Sequence, residues 1–181
     1  CVAPAPAHMG GRGLNILGIS IDGPRETHDA IRGAGSYDKA LAAVQRLAER
    51  RSKAGKRCPL IHVTTVIQDA NVDALEEMPA LMAAAGADMY NLAIEVRNMA
   101  VAMGPRDVFD YKLEEMDMPL IAPARLAQAL ERTRRAARSA GIELRLPDVP
   151  DHVIRDYYQG NVRMSDFRCL GLWSHLGVDA R

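Results

Sequence analysis

The sequence predicts an α/β fold built on a parallel sheet, and three observations lead there. Short apolar, β-branched runs alternate with stretches of helical period along most of the chain. The helical stretches end at glycines, Gly55, Gly86 and Gly141, with a strand-like run soon after each. The clearest strand, Leu60 to Ile67, is nearly continuous in apolar and β-branched residues, as a strand covered on both faces should be. Strand–helix alternation of this kind implies parallel strands joined by right-handed crossovers.

The elements follow in order. Leu14 to Ile21 is the first strand, halted by Asp22-Gly23-Pro24, a sequence that stops a strand and turns the chain. A glycine-rich loop, Arg32 to Gly35, leads to a helix with Ser36 as its expected N-cap. Tyr37, Ala40, Leu41, Val44, Leu47 and Ala48 form its apolar stripe. The basic run Arg50, Arg51, Lys53 suits the negative end of that helix and reads as a solvated helix end. After the Leu60 to Ile67 strand, Gln68 to Asn71 turns the chain into a second helix, which Pro79 either kinks or restarts. Met89 to Ile94 is the third strand. Residues 97–122 form a long connection with four methionines, expected to be a functional loop or lid. Pro123 opens the third helix, Ile142 to Leu146 is the fourth strand, and one short helix is expected near Val153 to Tyr158. The organisation expected is a flexible segment 1–13, an α/β unit 14–146, and an irregular tail 147–181.

Composition narrows the function. Among 181 residues, Lys+Arg and Asp+Glu are equal at 23 each, so no global field favours nucleic acid or an anionic membrane. No apolar run approaches the roughly 18 residues of a membrane span, and no signal peptide is evident, so the cytoplasm is the expected location. Cys1, Cys58 and Cys169 form no CxxC pair; neither a closed zinc site nor a disulfide framework is expected.

Polar residues at the carboxyl ends of parallel strands are the candidates for chemistry. Here they are Ser20 and Asp22, Thr65 and Gln68, and Asn91 with Glu95. Asp22 is equally readable as a turn residue bonding local N–H groups. His28-Asp29 is most simply a solvated helix start, and His62 and Thr64 are expected to face packing. Taken by residues alone, the chain is a half-barrel-like α/β piece with a polar rim and no readable reaction.

Ser20-Ile21-Asp22-Gly23-Pro24, His28-Asp29 and Arg32 together resemble the fourth strand of the radical S-adenosylmethionine enzymes. Val63 to Val66 with Asn71 is similar to the fifth strand of that family, and Tyr90-Asn91-Leu92 to the sixth. Cys169-Leu170-Gly171-Leu172-Trp173 resembles the opening of the auxiliary-cluster extension called SPASM. The resemblance implies part of a partial, TIM-like barrel, with residues 147–181 a linker and the start of that extension. It implies that Ser20 and Arg32 hold S-adenosylmethionine, that Asp22 and Thr65 belong to the same site, that Leu92 contacts the adenine, and that Cys169 is a metal ligand. It also implies a [4Fe-4S] cluster whose ligands lie mostly outside this chain, an electron donor such as flavodoxin or ferredoxin, and a peptide or small-molecule substrate. The family's reaction is reductive cleavage of the cofactor to a 5′-deoxyadenosyl radical that abstracts hydrogen.

CxxxCxxC, Gly-Gly-Glu and Thr-Asn-Gly, which precede the fourth strand in that family, are absent from the sequence. The expectation is therefore a fragment of a longer enzyme, inactive alone, whose first strand has lost its upstream neighbour. Two alternatives stand beside it. One is another barrel lyase or isomerase using Asp22 or Glu95, although no lysine occupies a strand end. The other is a non-catalytic α/β module that binds a nucleotide or a partner protein.

Overall fold

Each pair of parallel neighbours needs a crossover, and β-branched strands separated by helical stretches supply it. The computed structural model describes residues 14–95, 120–147 and 149–161. Its sheet contains β1 (Ile16–Ser20), β2 (Leu60–Ile67), β3 (Met89–Ile94) and β4 (Glu143–Arg145), all parallel and in the order β1-β2-β3-β4. Two helices, α1 (Arg25–Arg32) and α2 (Ser36–Lys53), cross from β1 to β2. A 3₁₀ segment (Val72–Glu77) and α3 (Met78–Ala85) cross to β3, α4 (Pro123–Ala140) precedes β4, and α5 (Asp151–Tyr157) follows it. The expected α/β class with a parallel sheet is what the structure shows, and it is consistent with part of a barrel.

Strand order that runs in one direction, with every crossover of the same hand, puts the helices on one face. Burial follows that geometry. Ile21, Ile61, Val63, Ile67, Tyr90 and Leu92 join Val44, Met82, Leu126 and Leu130 in the core between sheet and helices. The alternate strand positions, among them His62, Thr64 and Asn91, are half-buried on the face the helices leave open. The sequence reading had β2 covered on both faces; its burial instead alternates along its length. β-Branched residues there serve the strand backbone as well as the core, so an apolar run overstates the cover. His62 and Thr64 thus belong to the open face and not to the packing.

Three local features differ from expectation. The helix start expected at His28-Asp29 lies within a full helix, α1, over residues 25–32, whose extent no apolar stripe marks because its one fully buried side chain is a histidine. Ser36 is the first helical residue of α2, and Gly35 occupies the cap position in the left-handed region. Cys58 is disulfide-bonded, since sequence spacing carries no information about which cysteines meet in space. Pro79 does restart a helix, lying in the first turn of α3. Gly86 ends that helix at φ 89°, where an added Cβ would lie 2.6 Å from Ala48 Cβ, so glycine is what lets α3 close on α2.

Among the described residues β1 pairs only with β2. No described helix is long and apolar enough to cross a membrane.

Candidate functional site at the carboxyl ends of the strands

The last β1 ladder bond runs from Ile21 N–H to the Thr64 carbonyl at 3.0 Å, and the chain then turns through Asp22-Gly23-Pro24. Asp22 is 1% exposed and tied at every polar atom. Its Oδ1 accepts the Val66 N–H at 3.0 Å, and its Oδ2 accepts from Arg32 Nε. Its own N–H donates to His28 Nδ1 at 2.9 Å, and its carbonyl accepts from Asn71 Nδ2 at 2.8 Å. Gly23 is required beside it: a Cβ there would come within 2.9 Å of Thr27, inside the first turn of α1.

His28 and Asp29, adjacent in sequence, anchor opposite sides of α1. The His28 ring is buried, holds the Asp22 backbone, and packs edge-on against Tyr37 at 5.9 Å between centroids. Asp29 instead caps α2 from outside that helix, accepting from the Gly35 N–H (2.9 Å), the Tyr37 N–H (2.8 Å) and the Ser36 hydroxyl (3.2 Å). Those backbone bonds favour the carboxylate and hold Asp29 below its ordinary value. Burial pushes His28 below the usual histidine range; Asp22 opposes that shift and Arg32 adds to it. The expectation of a solvated helix start fails for His28, because α1 folds back over the end of β1 and removes that ring from water.

Asn71 staples the two strand ends. Its Nδ2 donates to the carbonyls of Asp22 and Val66, each at 2.8 Å, and its Oδ1 accepts the Gln68 N–H at 2.8 Å. Thr65, fully buried on the helix side, donates to the Ile21 carbonyl. Further along the rim, the Tyr158 hydroxyl donates to the Ile67 carbonyl at 2.7 Å and accepts the Glu95 N–H at 3.0 Å. Tyr157 donates to the Glu95 carbonyl at 2.6 Å. Neither tyrosine was singled out from sequence, since they lie more than sixty positions from the strand ends they close.

The open face carries a polar row in register: Ser20 beside Thr64, Thr64 beside Asn91, Asn91 beside Arg145. Ser20 is exposed. Asn91 Nδ2 approaches Thr64 Oγ1 at 3.4 Å, while Asn91 Oδ1 and His62 Nε2 are buried with no partner among the described residues. Burial and the nearby Arg145 guanidinium lower the His62 pKa. The β4 ladder stops at Arg145 opposite Asn91, so no β4 residue lies opposite Leu92. Arg32 uses Nε for its pairing with Asp22; its side chain is 42% exposed, and its Nη groups donate no hydrogen bond among the described residues.

The residues singled out from sequence therefore separate. Ser20 and Arg32 both stand at the carboxyl end of β1 with donors available. Asp22 and Thr65 are committed to internal bonds, and the Leu92 side chain is in the core, leaving its backbone at the rim. Cys169 and most of the 97–122 loop lie outside the described residues. Among the described residues no three His, Cys, Asp or Glu side chains are placed to hold a metal. A cavity of about 510 Å³ lies at the opposite, amino end of the sheet, lined by Arg50, Arg57 and Pro59 among others. Ligands of parallel α/β sheets bind at the other end, and the polar rim is the better candidate.

Two known enzymes are similar to part of the chain. Mycofactocin maturase MftC of Mycolicibacterium smegmatis is 38% identical over 72 residues, 39% of this chain and 17% of its own length. Pre-heme d1 synthase of Dinoroseobacter shibae is 37% identical over 82 residues, 45% of this chain and 19% of its own. The matched stretches thus span less than a fifth of either relative. No protein-family model matches the chain.

Proposed function

We propose that this chain is the part of a radical S-adenosylmethionine enzyme that grips the cofactor, with Arg32 on its carboxylate, Ser20 on its ribose or amino-acid end and the Leu92 backbone on its adenine. Both similar enzymes are of that class, which agrees with the motif Ser20-Ile21-Asp22-Gly23-Pro24. The observation that carries the reading is the state of Arg32: anchored through Nε, 42% exposed, its Nη groups without a hydrogen bond among the described residues, near the end of β1. A planar guanidinium presented this way suits a carboxylate. The exposed Ser20 hydroxyl supplies a further polar contact at the same strand end.

S-Adenosylmethionine, when bound to an iron–sulfur cluster and reduced, supplies the means of removing hydrogen from a substrate. The described residues do not fit the cluster, and CxxxCxxC does not occur in the sequence, so this chain's part is binding and orientation. On this reading the substrate is a peptide or small molecule, the electron donor a flavodoxin or ferredoxin, and Cys169 a ligand of an auxiliary SPASM-type cluster. Iron content after anaerobic reconstitution, with and without Cys169→Ala, tests that last assignment.

Equilibrium dialysis of the chain against labelled S-adenosylmethionine tests the main reading. Binding that weakens about tenfold or more in Arg32→Ala supports it. No binding by the wild-type chain, or binding unchanged in that variant, refutes it.

A further inference from the structure

We propose that Asp22 is a positioning residue, acting on the ligand only through Arg32: its buried carboxylate fixes the guanidinium at Nε and so aims the two Nη groups at an incoming carboxylate. The inference rests on the reading of Arg32 given above. It goes beyond that reading by assigning Asp22 to the orientation of the guanidinium and not to contact with the cofactor.

The geometry separates those roles. Asp22 is 1% exposed, and both its carboxylate oxygens are engaged, one with the Val66 N–H and one with Arg32. Its backbone is pinned on either side by His28 and Asn71. A carboxylate so fixed is a rigid post, and it would also repel a carboxylate ligand if it met one directly. Arg32 is the opposite case, a long side chain at the last position of α1, 42% exposed. Free in solvent it samples many rotamers, and binding would have to order them. Pairing through Nε removes that freedom in advance and leaves the Nη fork unspent. The Gly23 turn and the eight-residue helix α1 return Arg32 to a position ten residues after its partner. One short segment therefore contains both the post and the group it aims.

Asp22→Asn keeps an oxygen for the Val66 N–H but places an N–H group against Arg32 Nε. In equilibrium dialysis it should weaken S-adenosylmethionine binding about tenfold, while binding of decarboxylated S-adenosylmethionine stays unchanged. In an Arg32→Ala background the same substitution should have no further effect. Equal weakening of both ligands, or equal weakening in both backgrounds, would show a merely structural role and overturn the proposal. Should Asp22→Asn fail to fold, Arg32→Lys replaces it: its single ammonium is consumed by Asp22, so it too should lose the carboxylate-bearing ligand selectively, and wild-type affinity would overturn the proposal. Failure of the wild-type chain to bind S-adenosylmethionine would sink the reading of Arg32 instead. In that case the Arg32 Nε–H resonance in ¹⁵N NMR decides orientation by itself. A slowly exchanging signal lost in Asp22→Asn supports the post, and its absence from the wild-type chain overturns it.

Discussion

The Asp22 N–H donates to the Nδ1 atom of His28 at 2.9 Å, so an uncharged histidine ring holds the end of β1. An imidazolium carries a proton on both nitrogens and cannot accept that bond. The strand end that presents Ser20, and over which α1 places Arg32, therefore depends on the protonation state of a buried side chain.

Stability should fall on mild acidification for this reason. Burial lowers the His28 pKa from its ordinary 6.5. Well above pH 6.5 the ring is neutral in both folded and unfolded chains, and its contribution is complete. As pH drops below that value the unfolded chain takes up the proton first, and stability is lost until the lowered folded pKa is passed. His62 is shifted in the same direction and adds a parallel loss. Asn at position 28 offers an oxygen near Nδ1 without titrating, so His28→Asn should flatten part of the dependence, leaving the share due to His62. Urea denaturation at several values between about pH 7.5 and about pH 5 checks this; an unchanged slope in the variant would remove His28 as the cause.

Asn71 is the substitution expected to cost most at the rim. Asn71→Ala leaves the Gln68 N–H and the carbonyls of Asp22 and Val66 without their side-chain partner at a buried site. A loss of about 3 kcal/mol is expected in chemical denaturation. Asn71→Asp should be no better, because its carboxylate would face two carbonyl oxygens. A loss below about 1 kcal/mol for either would mean that water replaces the staple without penalty.

Tyr158→Phe and Arg125→Ala form an instructive pair. Tyr158 is fully buried and its hydroxyl joins Ile67 to Glu95, so its removal should cost about 1–3 kcal/mol and loosen the ends of β2 and β3. Arg125 makes more hydrogen bonds, to Asp69 and Asp73, but its partners are 62% exposed. Solvent screening should hold its loss to about 1 kcal/mol or less, smaller still in high salt. Thermal melts at two salt concentrations compare them, and the reverse ranking would contradict the burial argument.

Gly86→Ala should destabilise by about 1–3 kcal/mol through two separable causes. One is the positive φ of 89°, and the other is the approach of the new Cβ to Ala48 Cβ. In an Ala48→Gly background, which carries a helix penalty of its own of about 1 kcal/mol, the contact is relieved but not the backbone strain, so Gly86→Ala measured against Ala48→Gly alone should recover part of its loss. Full recovery, or none, would assign the whole effect to one cause.

The sequence alone determined the alternation of strands and helices, the parallel sheet and the glycine helix ends, because these depend on side chains within a few positions of one another; that Pro79 restarts a helix and does not kink one was settled by the structure. It also marked Ser20 and Arg32, whose motif is local and whose donors the structure leaves available. Only the tertiary structure decided which polar groups spend themselves inside the fold. Nothing local separates Asp22 from Ser20, yet one is tied to Val66, Arg32, His28 and Asn71 while the other stays exposed. Nor could apolar periodicity show that α1 exists for a buried histidine, or that Tyr158 closes strand ends sixty-three and ninety-one positions away. Hydrogen-bond partners across such separations are chosen by the packing of helices on the sheet, and burial then turns an ordinary polar side chain into a fixed part of the frame.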